Sequence, residues 1–337
     1  MIVVKFGGSS LAGPERMLAA ARIVAMHRQR EEVVIVVSAM TGVTDALLTL
    51  AELALRGSLS WRATYDDLRG WHDRTLAALT TYRGSTPTLT FDDLWRAIEA
   101  DLASLVCDDT GNSRGETVAV FSAWGERLSI RLFTAALAHF GGEATAFEDA
   151  PVIVEHAPGG VGHRWKASVA ATREWLCDPI SNLLALRQTP VLPGYLALTE
   201  DGAYTTLGRN GSDYSAAIIG AALDASAVYL YSDVAGIHDA DPRTAPHTHL
   251  LPVLSYDEAS LLLADGARVV HPASLPPLAK RGIPLRLRSS FDPDAPGTDI
   301  GGISIRIART TASSLALLAP APLAAGCAAK VGRPDAF

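Results

Sequence analysis

The chain has 337 residues, of which 48% are hydrophobic and 19% charged, and a formal net charge of −7. That length can bury a large core, and that composition excludes a disordered chain. The acidic balance, with no block of basic residues, argues against a nucleic-acid partner, because phosphate backbones are held mainly by Lys and Arg.

Residues 1–6 and 32–37 are β-branched runs that read as strands. Between them, residues 14–29 carry Met17, Ala20, Ala21, Val24 and Ala25 at helical spacing. Strand, helix and strand in so short a stretch predict a βαβ unit with parallel pairing. A polar turn around Ser38 and Thr41 to Thr44 leads into a helix over 45–55. Residues 58–111 read as helix-rich, with Trp61, Trp71 and Trp95 as packing anchors. A short strand is expected at 118–121 and an amphipathic helix over 126–140, stopped by Gly141-Gly142. Further strands are expected at 152–154, 189–192, 227–231, 285–288 and 303–307, with a break at Pro193-Gly194-Tyr195. No internal repeat is visible.

The longest nearly apolar run, residues 216–231, is interrupted by Asp224 and reads as helix then strand, so no membrane partner is expected. Cys107, Cys177 and Cys327 are sparse and far apart, and no signal segment precedes the first strand. Both features predict a cytoplasmic protein with reduced thiols.

Two segments carry the chemistry. Lys5-Phe6-Gly7-Gly8-Ser9-Ser10 follows the first strand, and Thr205-Thr206-Leu207-Gly208-Arg209-Asn210-Gly211-Ser212-Asp213-Tyr214 precedes a helix of small residues. Glycine beside hydroxyls and a cation lets a backbone approach phosphate oxygens. The pair points to a phosphorylated nucleotide and to phosphoryl transfer. No GxSxG or HExxH occurs, and His247 with His249 lacks a third metal ligand.

These segments resemble the aspartate kinases of the amino-acid kinase superfamily. The resemblance continues through Val37 to Thr44, through Ser122-Ala123-Trp124-Gly125-Glu126-Arg127-Leu128-Ser129, through Ser232 to Arg243, and through Gly266-Ala267-Arg268-Val269-Val270-His271-Pro272. The blocks fall in family order across about residues 1–305. The resemblance implies a three-layer αβα sandwich with a mainly parallel central sheet. It places acceptor binding and a catalytic Lys in a lobe at 1–200 and ATP in a lobe at 201–309. The implied reaction is ATP-dependent phosphorylation of the side-chain carboxylate of L-aspartate, with Mg²⁺ brought by the ATP phosphates and a homodimer as the assembly.

Lys5 and Asp213 would be catalytic, Lys5 neutralising the moving phosphoryl group and Asp213 organising Lys5 and the donor phosphates. Taken alone, Asp213 reads as a helix N-cap. Glu126 and Arg209 would hold the substrate ammonium and carboxylate, with Ser38 and Thr44 as further contacts. Gly7, Gly8, Ser9, Ser10 and Ser212 would meet phosphate. Ser232, Asp233, His238, Asp241, Arg243 and Arg268 would belong to the ATP site. Four positions depart from the family pattern: Ser9 stands where Thr is more usual, Asn210 replaces a usual Gly, His238 a usual Tyr, and Arg268 a usual Lys. His271 reads as structural.

Residues 310–337 form an Ala- and Pro-rich tail too short for the regulatory ACT domains that aspartate kinases usually carry. The expectation is an enzyme without lysine or threonine feedback. Alternatives are a kinase for an aspartate analogue or other small acid, and a non-catalytic nucleotide-binding regulatory subunit.

Overall fold

Strand β1 (Ile2–Phe6) and strand β2 (Val33–Val37) pair in parallel, Ile2 opposite Val33 and Phe6 opposite Val37, and both are buried throughout. The protein is described by a computed structural model at residues 1–81, 90–107, 118, 120–156, 165–208, 210–240, 245, 247–264 and 269–301. Side chains alternate across these strands. Ile2, Val4, Phe6, Val33, Ile35 and Val37 join one core, and Val3, Val34 and Val36 join the other. A strand buried on both faces must be apolar on both, so these runs are continuous rather than alternating.

The first core is closed by α1 (Pro14–Arg28), α2 (Val43–Leu55), α3 (Trp61–Thr81), α4 (Asp92–Cys107) and α5 (Trp124–Leu137). Trp95 is fully buried there, while Trp61 and Trp71 are only partly buried against the same core. The second core is closed by α6 (Val169–Ala185), α7 (Gly211–Ala222), α8 (Tyr256–Ala264) and α9 (Leu275–Ala279). Helices therefore cover both faces of the sheet. Each buried Val, Leu or Ile side chain contributes about 1.5–3 kcal/mol to this arrangement.

The sheet is completed by β3 (Ala144–Ala146), β6 (Thr189–Pro193), β9 (Val228–Ser232), β10 (Val253–Leu254), β11 (Leu285–Ser289) and β12 (Thr298–Ile300). Its order is β10-β12-β11-β9-β1-β2-β6-β3, with only the β11–β12 pair antiparallel. Strands from both halves of the sequence thus share one sheet. A smaller sheet of short strands, ordered β5-β4-β7-β8, contains β4 (Val152–His156), β5 (Trp165–Ala167), β7 (Leu196–Thr199) and β8 (Tyr204–Thr206).

One expected strand is corrected. Val118, Val120 and Phe121 are helical, and Val118 and Phe121 pack into the first core ahead of α5. A short β-branched run fits a buried helix as well as a strand, and tertiary packing decides between them. The helix expected over 126–140 is α5 plus a 3₁₀ turn (Ala138–Phe140), stopped by Gly141 at φ 70°. The strand expected at 303–307 and the tail at 310–337 lie outside the described residues.

β1 lies between β2 and β9, with the earlier strands β2, β3 and β6 filling one side of the sheet and the later strands β9 to β12 the other. Such a switch point opens a crevice at the carboxyl ends of the strands, which is where open α/β sheets bind ligands. Lys5 is the penultimate residue of β1, at that end.

Candidate active site

A cleft of about 770 Å³ lies at this switch point. Lys5, Gly8, Ser38, Thr44, Glu126, Asn210, Ser212 and Asp213 all line it, drawn from four separate segments of the chain. Those segments follow β1 and β2 or begin α5 and α7. The amino ends of α2, α5 and α7 all meet the cleft, at Gly42 to Asp45, at Glu126 and at Gly211 to Asp213. Helix amino ends carry partial positive charge, so their convergence favours an anionic occupant.

Two glycines permit this convergence. A Cβ on Gly8 would stand 2.8 Å from the Ala39 carbonyl oxygen, and one on Gly125 would stand 2.6 Å from the Ala39 Cβ. The loop after β2 is therefore gripped between the loop after β1 and the start of α5, at distances that no side chain larger than hydrogen fits.

Lys5 Nζ donates to Asp213 Oδ1 at 2.6 Å, and both side chains are largely buried. Asp213 Oδ2 accepts from the His271 backbone N–H at 3.3 Å. Asp213 is the third residue of α7, and the N-cap is Asn210, which makes no side-chain capping bond. The carboxylate therefore serves Lys5 rather than its own helix. Asn210 has φ 58° and ψ 22°, the left-handed conformation that Asn tolerates better than most residues.

Glu126 is only 4% exposed, and among the described residues its Oε2 has no hydrogen-bond partner. Burial pushes its carboxyl up to about 8, although the backbone N–H groups of Ala39 and Glu126 and the Lys5 charge favour ionisation. A buried carboxylate on a residue that lines the cleft suits a cationic donor.

The remaining expected residues are placed differently. The Gly7 N–H donates to the Tyr231 carbonyl at 3.0 Å. Ser9 sits in the short 3₁₀ helix Gly8–Leu11. Ser10 is 1% exposed, its hydroxyl bonded to Ser290 Oγ at 2.6 Å. Ser232 ends β9 and its hydroxyl bonds to the backbone of Val234, while Asp233 beside it is exposed. His238 Nδ1 pairs with Thr248 Oγ1 at 3.0 Å. None of these six lines the cleft. Arg209, Asp241, Arg243 and Arg268 lie outside the described residues.

Tyr195, Asp45 and His271 also line the cleft, without having been singled out from the sequence for binding. Tyr195 has φ 66°, a left-handed conformation costing a bulky residue about 1–3 kcal/mol. Its backbone N–H donates to Ser215 Oγ and its carbonyl accepts from Leu207, both at 2.9 Å, which holds it there. The only sequence signal was its position after Pro193-Gly194, a break that says where the chain turns but not where the ring points. Among the described residues, no group of three or more His, Cys, Asp or Glu could hold a metal ion. No helix among them is long and apolar enough to cross a membrane.

The profile of the amino acid kinase family matches residues 1–289. The bifunctional aspartokinase/homoserine dehydrogenase of Haemophilus influenzae is 32% identical over 309 residues, covering 90% of this chain and 36% of that protein. Aspartokinase 1, chloroplastic, of Arabidopsis thaliana is 33% identical over 308 residues, covering 88% of this chain and 51% of that protein. The crystal structure of E. coli aspartokinase III in complex with aspartate and ADP superposes with a TM-score of 0.76 at 29% identity, covering 89% of this chain and 64% of that one. The chain thus spans about a third to two thirds of the length of these relatives.

Proposed function

The chain belongs to the amino acid kinase family, and from that premise we propose that it transfers the γ-phosphoryl group of ATP to the side-chain carboxylate of L-aspartate. The products are 4-phospho-L-aspartate and ADP. The observation that carries this reading is the Lys5–Asp213 ion pair facing buried Glu126 across one cleft at the sheet's switch point. The aspartokinase relatives, one of them solved with aspartate and ADP, support the choice of substrates.

The acceptor carboxylate is already ionised near neutral pH, so no general base is required. One of its oxygens attacks the γ-phosphorus while the bond from phosphorus to the bridging oxygen breaks, and that electron pair leaves on ADP. The obstacle is charge: an anion must approach an anion. Lys5, held by Asp213, supplies a cation where negative charge develops, and three helix amino ends add to it. Glu126 receives the substrate ammonium, and Arg209 is assigned its α-carboxylate. The part up to residue 200 would supply Lys5, Glu126 and most of the acceptor side, and the part after it the nucleotide side. Mg²⁺ would enter on the nucleotide phosphates, neutralising their charge, since hard cations prefer oxygen ligands of that kind.

Asn210 favours a second reading, a kinase for an aspartate analogue or other small acid. Asn210 lines the cleft at a position where the resembling kinases usually carry Gly. ADP release measured against a panel of amino acids and small carboxylic acids decides between them. Turnover highest with L-aspartate supports the first reading, and turnover with another acid alone supports the second.

A further inference from the structure

A chain of three hydroxyl and carbonyl groups crosses beneath the glycine loop. Ser290 Oγ donates to the Ser232 carbonyl at 3.0 Å, and the Ser290 N–H donates to the same carbonyl at 2.8 Å. A hydroxyl has one proton. With that proton committed, Ser290 Oγ acts as acceptor in its 2.6 Å bond with Ser10 Oγ, and Ser10 is the donor. The single Ser10 proton is therefore also spent. Its backbone N–H is spent as well, on the Gly7 carbonyl at 3.0 Å. Ser10 has no donor left for a phosphate oxygen, although its place beside two glycines suggests one.

The rest of the neighbourhood fixes Ser290 independently. Ser289 Oγ accepts the N–H groups of Phe291 and Asp292, each at 3.1 Å, which locks the turn after β11. The Arg16 guanidinium stacks on the Phe291 ring at 3.7 Å, tying the start of α1 to the same turn. Gly7 N–H bonds to Tyr231, one residue before Ser232. The loop after β1 is thus joined to the carboxyl ends of both β9 and β11. Ser10 and Ser290 are 1% and 6% exposed, so water does not substitute for either partner.

We propose that Ser10 and Ser290 are positioning residues, a buried clamp that holds the Lys5–Gly8 loop in register with the strand ends carrying the nucleotide side of the site. The proposal rests on the kinase reading for what the loop does, and on geometry alone for what holds it. Neither residue lines the cleft. Both set the distance between the Lys5 cation and the groups that face the nucleotide. A displacement of about 1 Å at such a distance costs roughly a hundredfold in rate while leaving binding less affected.

The test uses the full chain with Ser10→Ala, Ser290→Ala and the double variant. Turnover and KM are measured by ADP release, and amide hydrogen exchange is followed across residues 7–11. The clamp predicts kcat lower by roughly ten- to a hundredfold in each single variant, with acceptor KM changed by less than about threefold. The double variant should be no worse than the worse single, because both substitutions break one link. Exchange over residues 7–11 should quicken in all three. Unchanged exchange, unchanged kcat in an active protein, or losses that multiply in the double variant would each overturn the clamp. If the unmodified protein releases no ADP with any acceptor, the kinase reading falls instead. Exchange then decides the clamp alone: faster exchange in both single variants sustains it, and unchanged exchange ends it.

Discussion

Replacing Glu126 by Gln separates the cost of a buried carboxyl from its use. The side chain is 4% exposed, one oxygen lacks a partner among the described residues, and burial pushes its carboxyl up to about 8 from an ordinary 4.5. That difference amounts to about 3–5 kcal/mol of preference for the neutral form. The folded pKa is raised, so the native state binds this proton more tightly than the unfolded chain. Linkage then makes the unliganded protein lose stability as pH rises from about 4.5 to about 8 through this group, with no further loss above. Gln has nearly the same shape and does not titrate. Urea melts of both proteins should show the variant gaining on the parent by about 2–3 kcal/mol between pH 5.5 and pH 8.5. The variant should also lose most of its affinity for aspartate, because a neutral amide replaces the partner of an ammonium. In the parent, that ammonium draws Glu126 into its ionised form, so aspartate binding near pH 6.5 should release close to one proton. Calorimetry in two buffers of different ionisation enthalpy measures that release directly. A stability gap that stays constant across the pH range, with no proton released, would mean that Glu126 is solvated and ionised.

Lys5→Ala should lower kcat sharply while ATP affinity changes little, since its charge matters most as negative charge develops; an unaltered kcat removes Lys5 from the mechanism. Asp213→Asn should also lower kcat, and should cost stability by roughly 3–5 kcal/mol because a largely buried ammonium loses its counter-charge; a thermal melt matching the parent refutes this. Gly125→Ala places a Cβ 2.6 Å from that of Ala39, and should cost about 1–3 kcal/mol and raise the acceptor KM by shifting the loop after β2, as chemical denaturation and kinetics would show. His72 is buried with its pKa lowered to about 4. The unfolded chain therefore binds this proton more tightly, and stability should fall as pH drops from about 6.5 to about 4; an equally steep fall in His72→Leu would assign the acid loss to other groups.

Much of the architecture was legible because it rests on local pattern. The runs in β1 and β2 are β-branched on both faces, and only a strand between two helical layers needs that. Val118, Val120 and Phe121 share the same chemistry yet are helical, because a run this short carries no period and its neighbours in the fold choose for it. The short strands β3, β5, β7, β8, β10 and β12 were missed for the same reason, being two to four residues each.

The site was legible wherever a residue acts through its own chemical type. Lys5, Glu126 and Asp213 bring ionisable groups to one cleft, and an ionisable residue in a glycine segment is visible in a sequence. Legibility ended where a residue acts through a partner far along the chain. Ser10, two residues after Gly8, reads as a phosphate donor, and nothing local reveals that its hydroxyl bonds to Ser290, 280 positions later. Asp213 at a helix start reads on its own as a cap, and only the family resemblance tied it to Lys5, 208 positions earlier, which the fold brings to 2.6 Å. In each case the side chain has a limited number of hydrogen-bonding sites, and the tertiary partner claims them before a ligand or the local backbone can. A hydroxyl or carboxylate in a glycine segment therefore counts as a ligand contact only once its own protons and lone pairs have been assigned. By that rule Ser38 and Thr44, which face the cleft, remain available to an acceptor, and Ser10 does not.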